Sequence, residues 1–133
     1  MARRFGILIM AVALATMVAA CGGDDDDDDG GGGGGVVEVT NGQVTVEARD
    51  TVFNVESILT APGALEVTLV EEGNLEHTFV VEGADGERLD PKLAVNGDPE
   101  DTGSFDLAAG EYEFYCDIPG HRGQGMEGTI TVE

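Results

Sequence analysis

The sequence predicts an all-β fold: a Greek-key antiparallel β-sandwich of about eight strands. Short runs of alternating apolar and polar residues recur along the chain, and Gly, Pro and Asn separate them. No segment has the length and the 3.6-residue period of a helix. Short alternating strands with frequent turn signals are typical of a sandwich. The length of 133 residues suits one domain.

The predicted strands follow one another at short intervals through residues 36–133, the predicted domain. Alternation is clear in the second strand, where Val44 and Val46 share one side and Thr45 and Glu47 share the other. The predicted strands are Val36–Thr40, Gln43–Ala48, Val52–Val55, Leu65–Glu71, His77–Val81, Gly103–Leu107, Glu111–Cys116 and Gly128–Val132.

Residues 82–102 are the least strand-like part of the predicted domain. They contain Pro91, the pair Asn96-Gly97 and the pair Asp98-Pro99, all of which favour turns. We therefore predict a long connection here, with one helical turn near Pro91–Ala94.

Residues 1–20 are predicted to be a lipoprotein signal peptide. A short basic start precedes an apolar run of 12 residues, Ile7 to Val18, which is short for a membrane span. Small residues then lead directly to Cys21, which resembles the bacterial lipobox. Cleavage would leave Cys21 as a lipidated N-terminus. An ordinary signal peptide with an incidental cysteine is the alternative.

Residues 21–35 are predicted to be a lipidated cysteine followed by a disordered tether. Six aspartates (Asp24–Asp29) and six glycines (Gly30–Gly35) follow one another. Glycine loses much entropy on ordering and adjacent aspartates repel each other. Calcium binding is the alternative, but the carboxylates lack the spacing of an ordered calcium loop. The expected location is therefore extracytoplasmic, at a membrane of the cell envelope or periplasm, through the lipid anchor.

The chain is strongly acidic. It has 27 Asp and Glu against six Lys and Arg, a formal net charge of −21, and residues 36–133 alone carry 21 acidic against four basic residues, a net of −17. Such a charge excludes nucleic acid as a partner and favours a basic one. A saline habitat is an equally good explanation of the acidity.

Four residues form the candidate functional site: His77, Cys116, His121 and Met126. Residues 36–133 contain two histidines, one cysteine and one methionine, and the candidate site uses all four. Two imidazoles, a thiolate and a weak axial thioether are the ligand set of a mononuclear blue-copper site. A lone thiol outside the cytoplasm, where oxidation is favoured, is also explained by metal ligation.

The strand pattern brings these side chains toward one place. Cys116 has the same parity as Phe114 on its strand, and His77 and Met126 lie on the apolar sides of theirs. His121 lies in the connecting loop. Three segments would therefore direct candidate ligands toward one end of the core.

Several motifs carry a family resemblance: His77-Thr78-Phe79, the run Gly110 to Cys116, the spacing Cys-x4-His-x4-Met, and the closing run Gly128 to Val132. They resemble the cupredoxins, and more closely the plastocyanin, azurin, auracyanin and halocyanin group of small blue-copper proteins. The resemblance implies a cupredoxin-like sandwich and one copper ion that alternates between Cu(I) and Cu(II). It also implies ligation by both histidines through Nδ1, by the Cys116 sulfur and axially by Met126.

The same resemblance implies an electron-transfer protein rather than an enzyme, and we expect a monomer. The expected partners are redox proteins, either a cytochrome c or a membrane respiratory or photosynthetic complex. In relatives the edge of the second histidine is the electron port. We expect the same of His121, with an apolar rim from its loop and from Pro62-Gly63. Thr78 departs from the Asn that many relatives have there, which leaves the bracing of the Cys116 loop open.

Four other functions are alternatives to electron transfer. A periplasmic copper carrier or storage protein would use the same ligands without rapid reversible redox chemistry. A copper oxidase or nitrite reductase needs further copper centres with many more histidines. The binuclear copper domain of respiratory oxidases needs a second cysteine four positions after the first, where this chain has Gly120. A metal-free adhesive sandwich would have no affinity for copper.

Overall fold

The computed structural model describes residues 34–133. Within this range there are ten strands and one short 3-10 helix, Arg122–Gln124. The predicted signal peptide, Cys21 and the aspartate run lie outside the described residues. No helix within the described range is long and apolar enough to cross a membrane. The strands are β1 (Gly35–Val39), β2 (Gln43–Arg49), β3 (Val52–Phe53), β4 (Val55–Thr60), β5 (Gly63–Glu71), β6 (His77–Gly83), β7 (Arg88–Val95), β8 (Glu100–Leu107), β9 (Gly110–Tyr115) and β10 (Glu127–Val132).

The strands form two sheets, which confirms the predicted all-β sandwich. One sheet has the order β1-β4-β10-β9-β6-β7 and the other β3-β2-β5-β8. Two details of the prediction are wrong. The described chain has ten strands rather than about eight, and β4 pairs in parallel with both β1 and β10, as β2 does with β5. Parallel neighbours arise because the chain crosses from one sheet to the other between paired strands.

Residues 82–102 do not form the predicted long connection. They contain the whole of β7 and the start of β8, and no helical turn forms near Pro91–Ala94. Strand β7 lies at the edge of its sheet, where a proline is tolerated because one side of the strand needs no partner. Leu93 and Val95 on β7 are buried and anchor the strand to the core.

The core lies between the two sheets and is built around aromatic rings. Phe79 of β6 and Phe114 of β9 stack with ring centroids 5.0 Å apart, and Phe53 contacts both. Leu69 and Ile130 are fully buried beside them. Burying side chains of this size contributes about 1.5–3 kcal/mol each. This packing makes the sandwich a firm support for the loops at its end.

Gly128 on β10 lies where two strands approach too closely for a side chain. A Cβ placed there would overlap the carbonyl oxygen of Glu56 and the ring of Phe114. We expect Gly128→Ala to lower the free energy of unfolding by about 3 kcal/mol, the upper range for overpacking a core. Urea denaturation of the metal-free protein measures it. Gly123→Ala is the matched control, because a Cβ at Gly123 meets nothing within 4 Å. Equal midpoints for the two variants would contradict the prediction.

Candidate metal centre

Strands β6, β9 and β10 meet at one end of the sandwich and position the four candidate residues. His77 is the first residue of β6, and Cys116 directly follows β9. The loop from Cys116 to Met126 is closed at its base, since the Cys116 N–H donates to the Met126 carbonyl at 3.1 Å. Inside the loop, the Met126 N–H donates to the His121 carbonyl at 3.2 Å. The short 3-10 helix inside the loop ends at Gly125, whose φ of 106° is left-handed and suits glycine.

The structure brings three of the four predicted side chains together. One possible ligand atom from each of His77, Cys116 and His121 lies within 4.8 Å of the others. The Cys116 Sγ is 3.6 Å from Nδ1 of His121, and the two imidazole centroids are 5.2 Å apart. These atoms come from two segments separated by 39 positions, so the fold and not local sequence creates the cluster.

The polar atoms of the cluster fit a bound copper ion. His77 is buried, and neither of its ring nitrogens has a hydrogen-bond partner. Leaving such atoms unpaired in a core costs free energy, which a metal ligand bond would recover. Cys116 is a buried free thiol. Two imidazoles with a thiolate are donors that suit copper.

Burial also keeps His77 ready to bind. Removal from water lowers the pKa of His77, and nearby His121 lowers it further, while Glu71 opposes the shift. The imidazole is therefore neutral at neutral pH, the form that binds a metal.

Met126 is fully buried next to this cluster. Its backbone bonds to both Cys116 and His121 hold it against them. That its thioether binds the metal axially stays a prediction, as does the identity of the four ligands as a set.

A hydrogen-bonded brace joins the two ligand segments. The Thr78 hydroxyl donates to Oδ1 of Asp117 at 2.7 Å and accepts from the Asp117 backbone N–H at 2.9 Å. The Thr78 N–H points at the sulfur of Cys116 at 3.5 Å. The antiparallel register of β6 and β9 places Val80 opposite Tyr115, and the same register continued for two more residues brings Thr78 to Asp117. Thr78 is shorter than the asparagine found in many relatives, and hydrogen bonds to Asp117 complete the brace.

Two cations hold the second oxygen of Asp117. Lys92 Nζ is 2.8 Å and Arg88 Nη1 is 3.4 Å from Oδ2. Burial opposes ionisation of Asp117, but the hydrogen bonds from Lys92 and Thr78 and the charge of Arg88 prevail and lower its pKa. A carboxylate with its own counterions therefore lies directly beside Cys116. Sequence reasoning did not single out Asp117; its position directly after the cysteine was the available signal.

Tyr115, the residue before Cys116, is covered by charged groups. The Arg122 guanidinium lies 4.1 Å from its ring centroid and that of Arg88 lies 5.6 Å away. Its hydroxyl donates to Glu82 at 2.7 Å. Burial, followed by this hydrogen bond, raises the pKa of Tyr115. Three of the four basic residues of the described chain therefore gather on the outer side of the cysteine segment.

We expect Thr78→Val to lower the free energy of unfolding of the metal-free protein by about 2 kcal/mol, because it removes the partner of a partly buried carboxylate oxygen and of the backbone N–H of Asp117. Thr45→Val is the control, because the Thr45 side chain is exposed to water and the loss of its hydroxyl leaves no buried group without a partner. Chemical denaturation of both variants measures the difference. Equal stability of the two would show that the brace contributes nothing.

Solvent reaches the cluster on the His121 side. His121 is partly exposed, whereas His77, Cys116 and Met126 are each at most 1% exposed. The expected rim from Pro62-Gly63 is wrong. Gly63 pairs with Leu107, and the neighbouring Thr60 pairs with Val132, so this turn lies at the opposite end of the sandwich. The turn connects β4 to β5 at the ends that point away from His77.

The loops that do lie near His77 form an acidic cleft of about 520 Å³. The end of β5 contributes Glu71, the loop before β6 contributes Glu76 and Leu75, which is 45% exposed, and the loop after β7 contributes Asp98 and Pro99. The end of the sandwich that holds the cluster therefore combines one large apolar side chain with several carboxylates.

Comparison with known proteins places the chain among copper proteins. The family model described as copper-binding proteins of the plastocyanin/azurin family matches residues 36–133. A plastocyanin from Nostoc punctiforme is 48% identical over 44 residues, which are 32% of this chain and 30% of that protein. The chain thus matches less than a third of the length of this relative.

Solved structures of auracyanins and of rusticyanin share the fold of this chain. Reduced auracyanin from Roseiflexus castenholzii matches with a TM-score of 0.60 at 17% identity, over 71% of this chain and 99% of that one. Auracyanin B matches with a TM-score of 0.57 at 24% identity, over 77% and 96%. Rusticyanin from Thiobacillus ferrooxidans matches with a TM-score of 0.55 at 23% identity, over 74% and 82%. At these identities the structures show the shared sandwich fold.

Proposed function

The chain belongs to the plastocyanin/azurin family of copper-binding proteins, and from this membership we propose that it transfers single electrons through one type 1 copper ion. The proposed ligands are His77, Cys116 and His121, with Met126 as the axial ligand. The observation that carries the proposal is the convergence of the first three, with possible ligand atoms within 4.8 Å of one another. Two of them are buried in the core, where His77 has no other polar partner.

The protein groups around the cluster suit this function. Bound copper supplies a centre that is reversible between Cu(I) and Cu(II). Thiolate and thioether ligands favour the first state, and imidazole suits both. The brace between Thr78 and Asp117 fixes the two ligand segments to each other. A site held in this way changes little in geometry between oxidation states, which keeps electron transfer fast.

We propose His121 as the point at which electrons enter and leave. It is the most exposed of the four proposed ligands, and glycines at positions 120, 123 and 125 leave its surroundings open. A partner that docks on this end of the sandwich would come closest to the cluster here. The acidic cleft near His77, at the same end of the sandwich, favours a basic docking surface, such as that of a basic cytochrome c.

The location and the partners follow from the sequence and are part of the proposal. Cys21 would carry a lipid anchor, the residues between Cys21 and β1 would tether the domain, and the protein would work outside the cytoplasm at a membrane. A cytochrome c or a membrane respiratory or photosynthetic complex would be its partner. We propose no catalytic turnover, because the chain has two histidines and copper enzymes of this class need more.

Copper titration of the purified protein tests the proposal. We expect Cu(II) to give an intense visible band from the thiolate, narrow parallel hyperfine splitting in the EPR spectrum and a reversible one-electron wave in cyclic voltammetry. A pale sample would refute the type 1 site. Binding of Cu(I) without a reversible wave would instead support a copper carrier or storage protein.

A further inference from the structure

A buried carboxylate faces His77 from the neighbouring sheet. Glu71 is the last residue of β5, and its side chain is 14% exposed. Its Oε1 accepts a hydrogen bond from the Gly73 N–H at 2.6 Å. Its Oε2 has no hydrogen-bond partner and lies 3.5 Å from Nε2 of His77, whose side chain is fully buried. One oxygen anchors the carboxylate, and the other lies close to the imidazole without a partner.

We propose that Glu71 is a positioning residue that accepts a hydrogen bond from the Nε2–H of His77 and thereby reserves Nδ1 of this ring for the metal. The neutral imidazole carries one proton, and the hydrogen bond that one nitrogen makes determines which nitrogen carries it. With Nε2 protonated, Nδ1 presents its lone pair. A small rotation of the ring shortens the contact to the roughly 2.7–2.9 Å of a charge-assisted bond.

The unpaired atoms themselves argue for this bond. Glu71 Oε2 and both ring nitrogens of His77 are the buried side-chain N and O atoms of the described residues that have no partner. A buried carboxylate oxygen without a donor is costly, and so is a buried N–H without an acceptor. The Nε2–H···Oε2 bond satisfies one atom of each residue and leaves Nδ1 alone for the ion.

The carboxylate also affects the metal that the ring binds, a consequence that rests on the proposed function. A negative charge hydrogen-bonded to a ligand imidazole makes the ring a stronger donor and favours the more positive oxidation state. Glu71 therefore strengthens binding of Cu(II) relative to Cu(I). Asp117 beside Cys116 is already balanced by Lys92 and Arg88. On the histidine side, Glu71 is the carboxylate in contact with the ring, and its charge acts more strongly than that of Asp50.

Two variants separate the charge of Glu71 from its role as an acceptor. Glu71→Gln keeps an oxygen that can accept from Nε2–H but removes the charge, and Glu71→Leu removes both. Glu76→Gln is the matched control, because Glu76 is exposed, precedes His77 directly and loses the same charge.

The first measurement is the ¹⁵N NMR spectrum of the His77 ring in the metal-free full-length protein at neutral pH. We expect Nε2 to be protonated with slow proton exchange in the wild type and in Glu71→Gln, and exchange to be at least tenfold faster in Glu71→Leu. A wild-type ring protonated at Nδ1 would overturn the proposal. This result does not depend on copper, so it stands apart from the outcome of the copper titration.

The second measurement is the ratio of the Cu(II) and Cu(I) dissociation constants. We expect Glu71→Gln to shift it about tenfold toward Cu(I), equivalent to 59 mV for one electron, and Glu76→Gln to leave it nearly unchanged. If Glu71→Gln and Glu76→Gln gave the same ratio, the proposed effect of Glu71 on copper binding would be wrong. Because glutamine matches glutamate in shape, this comparison holds even if Glu71→Leu fails to fold.

Discussion

We expect the Cys116→Ser protein to lose the intense visible band altogether when Cu(II) is added. The band requires a copper–thiolate bond, and Cys116 is the one cysteine of the described chain. We expect the affinity for Cu(I) to fall by more than about 100-fold, since loss of an outer-shell partner alone costs 10–100-fold. Visible spectroscopy and competition with a Cu(I) chelator measure the two effects. Serine differs from cysteine only by oxygen in place of sulfur, so the variant removes the thiolate with little change in side-chain shape.

Met126→Leu is the matched control for this experiment. Leucine fills the volume of the buried Met126 at little cost in stability. With both histidines and the cysteine in place, we expect the variant to keep its colour, and loss of the axial thioether to raise the reduction potential. Retained colour in Cys116→Ser would contradict the proposed ligand set. An unchanged potential in Met126→Leu would show that Met126 is core and not a ligand.

The acidic surface should make electron transfer strongly dependent on salt. With a net charge of −17 on residues 36–133, a cationic redox complex is drawn to the protein and an anionic one is repelled. We expect the rate with a cationic ammine complex to fall at least about tenfold between 0.01 and 1 M salt, because the screening length shrinks from about 30 to about 3 Å. The rate with ferricyanide should rise. Stopped-flow oxidation and reduction of the copper protein measure both.

Two charge variants locate the port within the same experiment. Glu76→Gln removes an exposed charge next to His77, and Glu38→Gln removes one from β1 at the opposite end of the sandwich. If electrons leave through His121, Glu76→Gln slows the reaction with the cationic complex more than Glu38→Gln does. Equal effects would contradict the port, and rates independent of salt would contradict steering by the acidic surface.

The alternation of residues predicted most strands but missed two. Strand β4 (Val55–Thr60) follows the short β3 after a single residue, Asn54. No other turn signal separates the two strands. Strand β7 was missed because Pro91 and the turn-favouring pairs Asn96-Gly97 and Asp98-Pro99 predicted a connection. Proline is acceptable there because β7 is an edge strand. Whether a strand lies at an edge depends on the whole sheet, so no local pattern in residues 82–102 could reveal it.

The residues that contact the proposed ligands could not be predicted from the sequence either. Thr78 and Asp117 are 39 positions apart and meet through the register of β6 with β9. Glu71 and His77 are close in sequence but belong to different sheets, and the loop between them turns the carboxylate toward the ring. A shift of register by one residue would turn each of these side chains to the other face.

The sequence by itself determined the fold class, the acidity and the kinds of atom available to a metal, because residue types and their spacing carry that information directly. The tertiary structure decided which end of the sandwich His77, Cys116 and His121 share, which of the histidines reaches solvent, and which carboxylates face the site. These depend on pairing between strands distant in sequence. Such pairing is set by the packing of the two sheets as a whole, which no single segment encodes.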